Sequence, residues 1–147
     1  MLIDVKFATS LEPGEAFSFI AENFFKNHQK WDPDLIENVK TSDGPIGIGT
    51  TGRAVTRFAG KQVADFKITN YSPNKNFAFI NTSGAVYLER AYSFEASPNG
   101  GTDINFIFDM RPKALRTKIV FPILKAITKK KVSSNIKLLE SLLEKAK

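Results

Sequence analysis

The sequence predicts an α+β fold in which an antiparallel sheet of six or seven strands curves around one long C-terminal helix. Three observations carry that prediction. Apolar residues alternate with period 2 through most of residues 35–110. A short helical pattern precedes this region and stops at Trp31-Asp32-Pro33. After Arg111-Pro112 the period becomes 3.6 and stays so to the end of the chain. A sheet lying between two helical segments, the longer one last, can wrap that helix and enclose a hydrophobic cavity rather than a solid core.

The elements follow in order. Ile3, Val5 and Phe7 alternate with polar or small neighbours, the mark of a half-buried strand over Ile3–Ala8. Glu12-Pro13-Gly14-Glu15 starts a helix, with Pro13 in its first turn and acids at the positive end of the dipole. Leu35–Lys40 is a short strand, and Ser42-Asp43-Gly44-Pro45 a turn. Strands are expected at Thr50–Phe58 and Gln62–Asn70, joined by a hairpin at Ala59-Gly60-Lys61. Further strands are expected at Phe77–Asn81, Val86–Glu95 and Thr102–Met110, completing a meander. Val120, Leu124, Ile127, Val132, Ile136, Leu139 and Leu143 form the stripe of the last helix. Pro122 lies inside that pattern, so a kink, or a division into a short leading helix and a main one over Ile123–Lys147, is expected.

Composition sets the class. At 147 residues, 42% hydrophobic and 24% charged, the chain has the size and balance of a single globular domain over 1–147. It holds no Cys, so disulfides and thiolate metal sites are excluded, and a reducing compartment suits it. Asp4 and Lys6 interrupt the apolar run that a signal peptide needs, and no stretch is apolar for the roughly 20 residues of a membrane span. A cytoplasmic protein is expected. The net charge of +6 is unevenly spread: residues 1–110 carry 10 Lys/Arg and 13 Asp/Glu, whereas residues 111–147 carry 11 Lys/Arg against Glu140 and Glu144. The basic C-terminal segment suits either plain solvation or an anionic partner such as a membrane surface. Nucleic acid is disfavoured, because no strand platform of interleaved aromatic and basic residues is present.

Several elements, weak singly but ordered and spaced over most of the chain, resemble a known family. They are the strand Ile3–Ala8, the helix Pro13–Asn23, Trp31-Asp32-Pro33-Asp34, Gly49-Thr50-Thr51-Gly52-Arg53, Tyr71-Ser72-Pro73, Tyr92-Ser93-Phe94 and Gly100-Gly101-Thr102. The long last helix with Asn135 and Leu138–Leu143 completes the set. In these the chain resembles the START/Bet v 1-like (SRPBCC) superfamily, in its polyketide cyclase/dehydrase branch. The resemblance implies a helix-grip fold with a hydrophobic cavity. It also implies a function drawn from lipid, sterol, polyketide or hormone binding, with cyclisation in some members; the scaffold alone leaves the activity open.

Candidate site residues come from the strand faces turned toward the helix. Phe66, Ile68, Phe77, Phe79, Leu88, Tyr92, Phe106 and Phe108, with Leu124 and Ile127 from the helix, are either ordinary core or the lining of an apolar pocket. Phe94, Ile104 and Met110 share those faces. Arg90 is in register with Leu88, Tyr92 and Phe94, which turns its guanidinium toward the apolar side. There it either holds an acidic ligand group or snorkels outward to Glu89 or Asp109. Asn81 places an amide at the pocket wall or caps a strand end. Tyr71 reads as a structural anchor, Asp65 and Lys67 as an outward pair, Trp31 as a plug over the sheet and Asp32 as a turn former. His28, the only histidine, sits in the polar run Asn27-His28-Gln29 and is expected at the surface. No metal site and no cofactor are expected. The leading function is binding, extending to transport, of a hydrophobic small molecule or lipid. The alternative is a polyketide cyclase/dehydratase-like enzyme acting in the same cavity. The inward faces offer no clear carboxylate or histidine, which weighs against catalysis without closing the question.

Overall fold

The computed structural model describes residues 1–57 and 60–147. Phe58 and Ala59, expected at a strand end and in the hairpin turn, lie outside the described residues. The chain runs β1 (Leu2–Thr9), α1 (Pro13–Phe17), a π-type turn (Ser18–Glu22) and α2 (Phe24–Trp31). It continues through β2 (Leu35–Lys40), β3 (Thr51–Arg57), β4 (Lys61–Ser72), β5 (Asn76–Asn81), β6 (Val86–Ala96) and β7 (Thr102–Pro112) to α3 (Leu115–Lys145). The seven strands form one antiparallel sheet in the order β1-β7-β6-β5-β4-β3-β2. Consecutive strands are neighbours throughout, except that β1 closes on β7. The sequence expectation of six or seven strands around a C-terminal helix is met.

Strict pairing carries side chains of one type across the sheet. Ile68 opposes Phe79, Phe79 opposes Arg90, Arg90 opposes Phe108, and Phe108 opposes Ile3. One face therefore presents a five-residue row that is apolar except for Arg90. A second row runs Phe77, Tyr92, Phe106 and Val5. Bulges fall in β2 and β4, between Leu35 and Glu37 and between Ile68 and Asn70. β6 and β7 pair without a break, so the inward face of Arg90 is preserved.

The helical segment after β1 covers one end of this face. Phe17, Ile20, Ala21, Phe24 and Trp31 are buried there. Phe24 is the wedge: its ring centroid lies 5.9 Å from Phe66, 5.1 Å from Phe77 and 4.9 Å from Phe79. Phe17 sits edge-on to Tyr71 and Phe94 at 5.2 and 5.4 Å, which gives Tyr71 the anchoring place expected of it. This end is solid.

α3 is one helix of 31 residues, about 46 Å long, so the expected division at Pro122 does not occur. Pro122 is solvent-exposed. Water can hydrate the carbonyl its missing N–H leaves unpaired, which is why the helix tolerates it. Val132, Ile136, Leu139 and Leu143 bury the C-terminal half. Glu144 ties its end to β1, accepting hydrogen bonds from Ser10 N at 2.8 Å, Ser10 Oγ at 2.7 Å and Thr9 Oγ1 at 3.1 Å. Those bonds from Ser10 and Thr9 hold its carboxyl below the usual carboxylate range.

Gly52 opposes Phe66 across β3 and β4, and a Cβ at Gly52 would lie 2.3 to 2.8 Å from three carbons of the Phe66 ring. The ring is rigid and itself pressed on Phe24, so it cannot yield cheaply. Gly52→Ala is expected to cost about 1–3 kcal/mol of stability, read as a lower urea midpoint. A midpoint equal to that of the unmodified chain would show that Phe66 repacks freely.

Candidate functional site

The other end of the sheet is hollow. A cavity of about 400 Å³ lies between the concave face of the strands and α3. Tyr92, Phe106, Phe108, Leu88 and Met110 form its sheet wall, and Leu124, Val132 and Ile136 its helix wall. Trp31 and Leu35 close the inner end against the solid core. The mouth is marked by the lining residues that remain exposed: Gln62, Val63, Gly84, Ala85 and Val120. The cause of the hollow is side-chain size. Ala54, Ala64, Gly84, Ala85, Thr117 and Thr128 stand where large side chains would be needed to meet across the gap.

A group of polar side chains interrupts the apolar wall. Arg90 Nη2 donates to Asn81 Oδ1 at 3.2 Å, and the guanidinium carbon lies 4.7 Å from the centroid of Phe79. Among the described residues Arg90 Nε has no hydrogen-bond partner. Neither adjacent acid serves it: Asp109 pairs with Arg111 at 2.7 Å, and Glu89 accepts from the Tyr87 hydroxyl at 3.0 Å. Burial lowers its pKa, with Asp32 and Tyr92 opposing the shift, but a guanidinium remains cationic. The wall thus carries a positive charge, and the Nε beside it is enclosed.

Beside it lie His28, Asp32, Tyr92 and Lys131. His28 stacks on Phe24 at 4.6 Å and lies 5.2 Å from Trp31. Its Nδ1 has no partner among the described residues. Burial, then the positive charges of Arg90 and Lys131, hold its pKa well below 6.5, so the imidazole is neutral. Burial also pushes the Tyr92 phenol well above its ordinary 10; Arg90 and a hydrogen bond with Trp31 work against that shift. Lys131 Nζ bridges Asp32 Oδ1 and Asp34 Oδ2, each at 3.3 Å, and so ties α3 to the end of α2. A neutral base, a phenol, a carboxylate–ammonium pair and a guanidinium share one apolar chamber. Such a set can orient a polar head and can, in principle, move a proton.

Of the residues read from the sequence, Asn81, Leu88, Arg90, Tyr92, Phe106, Phe108 and Leu124 line the cavity. Phe66, Ile68, Phe77 and Phe79 do not: all four are buried, and Phe24 of α2 lies on Phe66, Phe77 and Phe79 and fills their space. Ile127 is 47% exposed on the outer side of α3. His28 is a correction: it is buried, because Phe24, His28 and Trp31 fall at i, i+4 and i+7 and share the inward face of α2. That spacing was present in the sequence beneath the polar flanks. Asp32 is a cavity wall residue as well as a turn residue. Lys131 and Asn135 were also missed, although they continue the row of Leu124 and Thr128 on α3. Among the described residues no group of His, Cys, Asp or Glu could hold a metal ion, and no helix is long and apolar enough to cross a membrane.

Known structures place this architecture. The chain is similar to the Zhui aromatase/cyclase from Streptomyces sp. R1128, with a TM-score of 0.81, 7% identity and 97% and 93% of the two chains covered. It is similar to a START superfamily protein from Mycobacterium smegmatis (0.78, 14%, 99% of both) and to Ara h 8.0201 (0.71, 14%, 97% of both). The chain has the START/Bet v 1-like helix-grip fold, and its structural neighbours include an aromatase/cyclase. At these identities the likeness is one of fold. No protein-family model and no curated protein matches the sequence.

The neutral His28 gives a pH test. Its pKa is ordinary when unfolded and depressed when folded, so the unfolded chain binds the extra proton as pH falls below 6.5. Stability should therefore decline from pH 6.5 toward pH 5, by up to about 1.4 kcal/mol per unit from this group. His28→Phe should flatten that part of the profile, read from urea midpoints. An unchanged slope would place His28 in contact with water.

Proposed function

We propose that this protein binds, and carries, a hydrophobic small molecule or lipid whose acidic head meets Arg90. The observation that supports this most is a half-buried guanidinium on the wall of an apolar chamber, with an unpartnered Nε and, among the described residues, a neutral amide as its one hydrogen-bond partner. A buried charge without a counter-charge in contact is unfavourable until one arrives. A ligand that buries about 200 Å² of apolar surface gains roughly 5 kcal/mol before the losses of association. A carboxylate or phenolate on Arg90 then adds orientation and charge-assisted hydrogen bonding. Asn81 holds the guanidinium in place, and Leu88, Tyr92, Phe106, Phe108 and Met110 supply the apolar wall of the sheet side. A cytoplasmic setting belongs to the same proposal and suits a chain without cysteine.

A second reading is a cyclase- or dehydratase-like enzyme acting on an aromatic or polyketide-like substrate in this chamber. It is favoured by His28, a neutral imidazole on the cavity wall whose Nδ1 is without a partner among the described residues. That is the base the sequence had not placed in the pocket. Turnover of an aromatic polyketide-like ketone, lost in His28→Leu while binding persists, would establish the enzyme. Tight binding without turnover would leave the carrier.

Affinities for a medium-chain fatty acid and for the alcohol of the same chain length test the role of Arg90. The acid should bind about tenfold or more tightly than the alcohol, and Arg90→Met should erase that preference while retaining affinity for the alcohol. Equal affinities in the unmodified protein, or a preference that survives in the variant, would remove Arg90 from the site.

A further inference from the structure

The first half of α3 has an outer face that does not suit a water-soluble helix. Leu115 is 75% exposed, Ile119 74%, Ile123 68% and Ile127 47%. Each is four residues from the next, so at about 100° per residue they form one continuous stripe on the side away from the cavity lining of Thr117, Leu124 and Thr128. Exposed Pro122 and Ala126 lie within the same stripe. Scattered exposed aliphatics are ordinary; a contiguous row of them marks an interaction surface.

One border of the stripe is basic. By the same geometry Lys118, Lys125 and Lys129 run along one side, Arg116 and Lys130 fall within the arc of the stripe, and Val120 and Leu124 lie on the other side. Residues 111–131 hold eight Lys/Arg and no Asp/Glu. The stripe also adjoins Val120, which is 51% exposed and lies at the cavity mouth. An aliphatic stripe with a cationic row along one flank, in a segment that holds no acid, matches an interface with acyl chains below and anionic headgroups beside it. Nucleic acid would use the charges and leave the isoleucines unexplained.

We infer that the first half of α3 is an interfacial helix that docks the protein on an anionic lipid surface. Leu115, Ile119 and Ile123 enter the acyl boundary, and the flanking Lys118, Lys125 and Lys129 lie among the headgroups. Docked so, the cavity mouth beside Val120 faces the lipid. A hydrophobic molecule then passes between membrane and cavity without crossing bulk water. The surface itself does not depend on what the cavity holds.

Co-sedimentation with phosphatidylcholine vesicles containing about one quarter phosphatidylserine tests this, with pure phosphatidylcholine as control. The protein should bind the anionic vesicles, and more weakly as salt is raised. Lys118→Gln/Lys125→Gln/Lys129→Gln should bind about a hundredfold more weakly, and Ile119→Asp/Ile123→Asp should lose binding. Both variants alter exposed positions outside the cavity lining and should keep the circular dichroism of the parent. No binding to the anionic vesicles, or binding that the Ile variant retains, would overturn the inference. So would light scattering that finds a dimer which Ile119→Asp/Ile123→Asp dissociates, since a second copy would then cover the stripe. Equal binding of duplex DNA by the parent and the Ile variant, with no vesicle binding, would assign the face to nucleic acid.

Discussion

A concave seven-stranded sheet offers more apolar face than its helices can cover with close packing, and the position of Phe24 decides which part is filled. Its ring meets Phe66, Phe77 and Phe79 together, so the space over β4 and β5 at that end is solid. Interiors of proteins are packed to the density of organic crystals wherever side chains can reach. Beyond Trp31 they cannot reach. The facing positions carry Ala54, Ala64, Ala85, Thr117 and Thr128, and α3 passes at a distance set by its own buried half farther along. The chamber follows from that division of large and small residues.

The division also places the chemistry. Arg90 occupies the middle of an otherwise aliphatic and aromatic row, where strand pairing leaves it no outward route. Phe79 supports the flat of the guanidinium, Asn81 accepts from its Nη2, and the residue lines the chamber. The same burial that makes the chamber apolar keeps His28 neutral and Tyr92 protonated. Apolar volume and perturbed polar groups therefore have one origin. This is why a carrier and an acid–base enzyme are neighbouring possibilities on this scaffold, separated by what the polar groups touch when a ligand is present.

Strands were the most legible part of the sequence. Leu35–Lys40 and Val86 onward begin where alternation and turn residues put them, because a half-buried antiparallel strand writes its burial directly into period 2. The inward direction of Arg90 was legible for the same reason, since β6 carries no bulge. What alternation cannot report is which inward residues meet a helix and which face a void. Phe66, Ile68, Phe77 and Phe79 share their pattern with Phe106 and Phe108, yet only the latter two border the cavity. That distinction depends on where α2 lands in three dimensions. His28 was hidden differently: its polar neighbours Asn27 and Gln29 masked a helical spacing with Phe24 and Trp31. The continuity of α3 through Pro122 came from its solvent-facing position, which period alone does not reveal.

The account turns on the chamber being a receptacle for a hydrophobic molecule. Native mass spectrometry of the freshly purified protein, with organic extraction of anything bound, measures that directly. The account predicts a discrete adduct that extracts as an apolar compound with an acidic group, and the loss of that adduct in Arg90→Met. A clean unliganded mass, together with no uptake of fatty acids, quinones or aromatic polyketides offered in excess, would contradict it.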